Sequence, residues 1–159
     1  MKATTFTTPK QVSVHVYANY IKVSGSLGTI YINLVDCNNK NWNIYFSLLV
    51  NALQGVSQGY LKKLKIQGGG YRVSEITESQ LVLKLGYSHD NKVTVPKGVV
   101  VRSNKYNQLL CVGVDKQALS QFTSSIERIR PYNIYKKKGV FSVGGVLPFK
   151  MAGKPGLLQ

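Results

Sequence analysis

At 159 residues the chain fits one ordinary domain or two very small ones, and a 43% hydrophobic content can fill a core, which excludes global disorder. Lys and Arg total 21 against 6 acids, a net charge of +15. A polyanion relieves self-repulsion on that scale, so nucleic acid is the first partner class and an anionic membrane surface the second.

The charge is uneven. Glu127 is the last acid, and seven basic residues follow from Arg128 to Lys154. The apolar runs stop short of 18 residues, so no transmembrane helix is expected. Met1-Lys2-Ala3-Thr4-Thr5 lacks the apolar stretch of a secretory signal and the arginines of a transit peptide. Cys37 and Cys111 lie far apart, each in or beside an apolar run, and read as two buried thiols in a reducing compartment.

In chain order, Pro9-Lys10 precedes a strand in which Val12, Val14 and Val16 alternate with Ser13 and His15. A turn at Ala18-Asn19 leads to a second strand, with Ile21 and Val23 flanking Lys22, and Ser24-Gly25 ends it. Tyr45, Leu48, Leu49, Ala52, Leu53 and Val56 fall at spacings of three and four, an amphipathic helix whose end is marked by Gly55 and Gly59. Strands follow over Leu61 to Gln67, Tyr71 to Glu75 and Leu81 to Leu85. Pro96-Lys97 then opens a hairpin of the same design as the first: Val99 and Val101, a polar turn from Ser103 to Asn107, Leu109 to Val112, and Gly113 at the close. The matched order of proline, strand, Asn-bearing turn, strand and glycine is read as an internal repeat. Asp115 caps a second helix, where Leu119, Phe122, Ile126 and Ile129 form the apolar stripe; Gln117, Gln121, Ser124 and Arg128 face away and Pro131 stops it. The expected fold is α+β, as two duplicated lobes, each a small antiparallel-rich sheet with one packed helix. The lobes are placed at 1–58 and 59–140, with a tail at 141–159.

Catalytic constellations are sparse. His15 and His89 stand 74 positions apart, neither at metal-ligand spacing, and Glu75 and Glu78 read as a solvated turn. Metal-assisted phosphoryl chemistry wants clustered acids, so a basic nuclease-like enzyme is disfavoured. Gly68-Gly69-Gly70 precedes a strand rather than a helix and so is no phosphate cradle; it reads as a bulge or a close packing point between strands. No cofactor, metal or small-molecule substrate is expected. Binding features are better represented. Lys62 and Lys63 cluster with Lys65 on a strand, Gly86-Tyr87-Ser88-His89 offers an aromatic ring with hydrogen-bonding side chains, and Tyr135-Lys136-Lys137-Lys138 follows Arg128 and Arg130. Tyr132 and Tyr135 interleave with the cations, and such rings can stack on unpaired bases. The lysines are expected on an extended strand or loop that follows a nucleic-acid groove.

These stretches resemble a known family. Gly59-Tyr60-Leu61-Lys62-Lys63-Leu64, Gly68 to Arg72, Leu83 to His89, Pro96-Lys97-Gly98-Val99, Gly113 to Gln117 with Gln121, and the Tyr-Lys-x-Lys-Gly element at 135 to 139 are similar to bacterial-type ribosomal protein L-six. Residues 1–58 fit more loosely. The resemblance implies a duplicated two-lobe fold and a structural role in the large ribosomal subunit, bound to its rRNA near the sarcin–ricin loop. Neighbouring ribosomal proteins, and translation factors nearby, are the further partners; no membrane is. It also implies that the second lobe supplies most of the RNA contact. The RNA-binding residues are then Lys62, Lys63, Tyr87, Ser88, His89, Lys116, Gln117, Gln121, Arg128, Arg130, Tyr135, Lys136, Lys137 and Lys138. Lys116, at the positive start of the second helix, is expected to face a phosphate. Three departures stand out: Tyr132-Asn133-Ile134 replaces the family's Pro-Glu-x, Lys137 stands where its first glycine falls, and the tail from Phe141 is not Lys-rich. Five asparagines between Asn33 and Asn43 and the Gly86–His89 loop look organellar, mitochondrial before plastid or bacterial. A separate RNA-binding regulator of equal charge is the competing class, distinguished by failing to sediment with the large subunit.

Overall fold

The computed structural model describes residues 12–34, 42–104 and 107–144. Expectations that rest on Pro9, Cys37 or residues 145–159 lie outside them. The fold is α+β, with antiparallel sheets and two helices. It divides into two compact units: the chain to Leu61 joined by Val112–Leu119, and Lys62–Cys111 joined by the chain from Ser120 onward.

In the first unit, β1 (Ser13–Val16), β2 (Tyr20–Gly25) and β3 (Gly28–Asn33) form an antiparallel meander. Side chains alternate across it, so Val14, Val23, Ile21 and Ile30/Ile32 turn to one face. That face packs on α1 (Trp42–Ser57), where Ala52, Leu53 and Val56 bury, with Tyr45, Leu48 and Leu49 half-buried around them. Complete burial of Val23 and Val56 contributes about 1.5–3 kcal/mol each. Gly59 ends α1 at φ 73°, and its N–H donates to the Gly55 carbonyl, the left-handed close that glycine adopts most cheaply. Gly55 itself has no room for a side chain, because a Cβ there would overlap the Val114 carbonyl oxygen.

The second unit holds two sheets. One has the order β10-β4-β9-β8, built from β4 (Tyr60–Gln67), β8 (Val99–Asn104), β9 (Gln108–Gly113) and β10 (Gly139–Ser142). The other is the meander of β5 (Arg72–Ile76), β6 (Gln80–Lys84) and β7 (Asn91–Thr94), with a bulge between Val73 and Glu75. Leu81, Leu83 and Leu85 are fully buried, as are Leu64 and Leu109. Cys111 is also fully buried, as expected; burial pushes its thiol up to about 11, which keeps it protonated and inert. α2 (Lys116–Ile129) starts in the first unit and continues into the second. Asp115 caps it as expected, accepting the Gln117 N–H at 2.8 Å. Leu119, Phe122 and Ile126 are buried; Ile129 is half-buried.

Three strands escape the sequence pattern: β3, β7 and β10. The unit boundaries also differ from 58/59 and 140/141. Val114 packs into the first unit's core, drawing the start of α2 with it. Phe141 and Ser142 are not tail but strand, because β10 pairs with β4 from Gly139↔Gln67 to Ser142↔Leu64. The β1–β2 and β8–β9 hairpins both form, one within the three-stranded meander and one inside the four-stranded sheet.

The stripe on α2 gives a direct test. Phe122 is 4% exposed, so Phe122→Ala should cost about 3–5 kcal/mol by cavity formation. Chemical denaturation measures this, and an unchanged midpoint would place the helix on a different face.

Candidate nucleic-acid interface

Among the described residues the two units differ sharply in charge. The first carries Lys22 and Lys116 against Asp115; the second carries thirteen Lys and Arg against four acids. The second unit therefore carries the charge suited to a polyanion.

Tyr71 organises it. The residue is 7% exposed, and its ring lies against two glycines. A Cβ on Gly68 would stand 2.6 Å from the ring, and one on Gly86 would stand 2.7 Å from it. Gly86 also adopts φ 76°. Both positions therefore need glycine, one to admit the ring and the other to turn the chain beneath it. The triple glycine is thus a packing point, but for an aromatic ring rather than for a neighbouring strand. Asn107 Nδ2 donates to the Tyr71 carbonyl at 3.2 Å and fixes its backbone.

The turn at Gly86 presents Tyr87. Its hydroxyl donates to the Ile129 carbonyl at 2.9 Å, satisfying an acceptor that the last turn of α2 leaves open. Tyr87 stacks with His89 at 6.0 Å, and the Arg130 guanidinium lies 4.9 Å above the Tyr87 ring. Hydrogen bonds with Tyr87 and then Tyr71 raise the Arg130 pKa further above its ordinary value, so the cation is permanent. After Pro131 the chain closes a tight turn. The Asn133 carboxamide oxygen accepts the N–H groups of Tyr135 and Lys136, each at 3.0 Å, and the Asn133 N–H donates to the Lys138 carbonyl at 2.8 Å. The lysines therefore sit on a closed turn, not on the extended segment expected. Tyr132 is half-buried, and its ring meets Phe141 in a T-shaped contact at 4.9 Å.

The result is a cleft of about 320 Å³ lined by Tyr71, Tyr87, Arg130, Pro131, Asn133, Lys136 and Lys138. Three cations and two phenol rings line it, with no carboxylate among them. It has the chemistry for a phosphate flanked by a base or a sugar.

Four of the expected residues, Tyr87, Arg130, Lys136 and Lys138, are brought together in this cleft. Ser88, His89, Tyr135 and Lys137 are exposed on the two segments that form it. Lys62 and Lys63 lie on β4, half-buried and exposed, and Gln121 and Arg128 are exposed on α2; none of these four lines the cleft. Lys116 and Gln117 belong to the first unit. Lys116 is not simply offered to solvent: its ammonium donates to Asn51 Oδ1 at 3.1 Å and lies 5.7 Å from the Tyr60 ring centre. Tyr60 in turn donates to the Asn51 carbonyl at 2.9 Å, and burial together with the Asp115 charge raises its pKa, which keeps that donor in place. Sequence reasoning missed Tyr71 and Asn133. The signal for Tyr71 was available in the glycines on either side of it in space, Gly68 and Gly86.

The geometry defines a small basic α+β protein of two units, with a cationic, aromatic cleft in the second. A family model described as Ribosomal protein L6 matches residues 67–142, which include every residue of that cleft. The chain is 41% identical over 110 residues to large ribosomal subunit protein uL6c of Porphyra purpurea, covering 69% of this chain and 60% of that one. It is 30% identical over 173 residues to uL6 of Thermotoga maritima, covering 92% and 94%, and 33% identical over 168 residues to uL6 of Mycoplasma pneumoniae, covering 92% and 90%. The chain belongs to the ribosomal protein L6 family, a family of ribosomal proteins and not of enzymes.

The turn at 133–138 carries one residue in a strained backbone conformation. Lys137 sits at φ 51°, a left-handed conformation that favours glycine. Lys137→Gly should raise stability by up to about 1 kcal/mol in denaturant melts. A loss of stability instead would mean that the lysine's own contacts outweigh the backbone strain.

Proposed function

We propose that this chain is a structural constituent of the large ribosomal subunit and that its second unit anchors it to large-subunit rRNA. The observation that carries the reading is the cleft itself: Arg130, Lys136 and Lys138 converge beside Tyr71 and Tyr87 with no carboxylate among the lining residues. Cations there would neutralise backbone phosphate, and Tyr87, 42% exposed with Arg130 over its ring, would pack on a sugar or base. Ser88, His89, Tyr135 and Lys137 would extend the same contact along the surface. Lys62, Lys63, Gln121 and Arg128 would add contacts outside the cleft. Lys116 and Gln117 are proposed to contact RNA from the first unit, with Lys116 reaching a phosphate only by leaving Asn51.

The position near the sarcin–ricin loop and the factor-binding region follows from the family resemblance and is part of the proposal, as are neighbouring ribosomal proteins and translation factors as partners. The similar proteins are uL6c of Porphyra purpurea and uL6 of Thermotoga maritima and Mycoplasma pneumoniae. They favour a plastid or bacterial-type ribosome over the mitochondrial one suggested by the Asn-rich stretch.

Replacing Lys136, Lys137 and Lys138 together by Ala should flatten the salt dependence of rRNA binding by about 0.9 log units for each phosphate no longer neutralised. It should also abolish the preference for the cognate rRNA fragment over a scrambled duplex, and the variant should no longer follow the large subunit through a high-salt gradient. Full retention of the preference would remove the turn from the interface. A wild-type protein that sediments apart from the subunit would point to a separate RNA-binding regulator.

A further inference from the structure

The first unit presents a second surface that the cleft does not explain. One face of the β1-β2-β3 meander packs on α1; the other turns outward. On that outer face the register sets His15, Lys22 and Tyr31 in one row across the three strands, and Tyr20 opposite Asn33 in the next. Tyr17 joins the second row at the turn, where its N–H donates to the Tyr20 carbonyl at 2.9 Å. Tyr17 and Tyr20 stack at 4.6 Å with an interplanar angle of 22°, and Tyr20 meets Tyr31 at 6.0 Å. The Lys22 ammonium stands 5.9 Å from the Tyr31 ring centre. Tyr17 is 47% exposed and Tyr31 59%, so these rings give much of their area to solvent.

We propose that this face is a stacking platform for an unpaired stretch of RNA, separate from the second unit's cleft. The chemistry of the face selects that partner. The outward residues of the three strands are tyrosines, hydroxyl and amide side chains, one lysine and one histidine, with no carboxylate to repel phosphate. No aliphatic side chain stands among them, and the hydroxyl and amide groups beside the rings suit the polar edges and sugars of nucleotides. Tyrosine is favoured in strands, and cross-strand ring pairs also stabilise a hairpin. That accounts for the pairing but not for two rings left this exposed beside a cation. Unpaired nucleotides fit because their bases offer bare π faces, which a duplex keeps stacked within itself. Lys22 supplies a single phosphate contact, so the binding should be carried by stacking and depend weakly on salt.

The test uses the full chain carrying Lys136→Ala, Lys137→Ala and Lys138→Ala, which silences the cationic turn. The probe is a fluorescein-labelled oligouridylate of about ten nucleotides, followed by anisotropy, with a duplex of equal length beside it. The single strand should bind, the duplex should not, and the salt slope should stay near about −0.7, the value for one contact on a single strand. Tyr31→Ala should weaken binding about tenfold, and adding Tyr17→Ala should weaken it further. Tyr31→Trp should bind as tightly or tighter, since it enlarges the stacking ring, and it keeps the proposal testable if the alanine variants melt early. Equal binding by Tyr31→Ala, equal binding of the duplex, or no single-strand binding by a protein with an unchanged melting curve would each overturn it.

Discussion

Where the Tyr71 ring rests decides what the second unit can offer a polyanion. The ring lies on Gly68 and against Gly86, and any side chain at either position would push it out. With the ring seated, the turn at Gly86 aims Tyr87 at the end of α2, where its hydroxyl takes the Ile129 carbonyl. Arg130 then follows α2 directly into a place above Tyr87 and within hydrogen-bonding reach of Tyr71. A permanent cation is thus fixed by two rings instead of by a carboxylate, and its charge remains available to phosphate. An arginine held by an acid would have its charge neutralised inside the protein.

The adjoining turn works in the same way. Lys136, Lys137 and Lys138 repel one another, and a flexible run of lysines would spread apart. Here Asn133 ties the backbone of Tyr135 and Lys136, and Lys138 closes back on Asn133. β10 then anchors the turn to β4. Like charges are held close by neutral hydrogen bonds, an arrangement that is costly alone and favourable once phosphate is present.

Much of this fold was legible in the sequence, and the reasons differ by element. The β1–β2 and β8–β9 hairpins declare themselves by strict alternation, and α2 by its three-four stripe and its Asp115 cap. Those signals are local. β10 carries no such signal: its Val140 and Phe141 make sense only against β4, more than 70 positions earlier. β3 was obscured by the asparagines beside it, and β7 has a single apolar residue, Val93. At the candidate site the cations and Tyr87 were identified because their residue types announce charge and stacking. In the linear pattern Tyr71 reads as the start of a strand, since its burial depends on glycines that only the tertiary fold brings to it. Lys116 reads by its position at a helix start; its engagement with Asn51 and Tyr60 comes from α1 and β4, which the linear pattern does not align.

Ultraviolet cross-linking of intact large subunits, followed by mass spectrometry of the nucleotide-bearing peptides, tests the anchoring role of the cleft most directly. Adducts to large-subunit rRNA are expected on the peptide containing Tyr87 and on the one spanning Pro131 to Lys138. Adducts that map elsewhere on the chain while sparing both peptides would contradict that role.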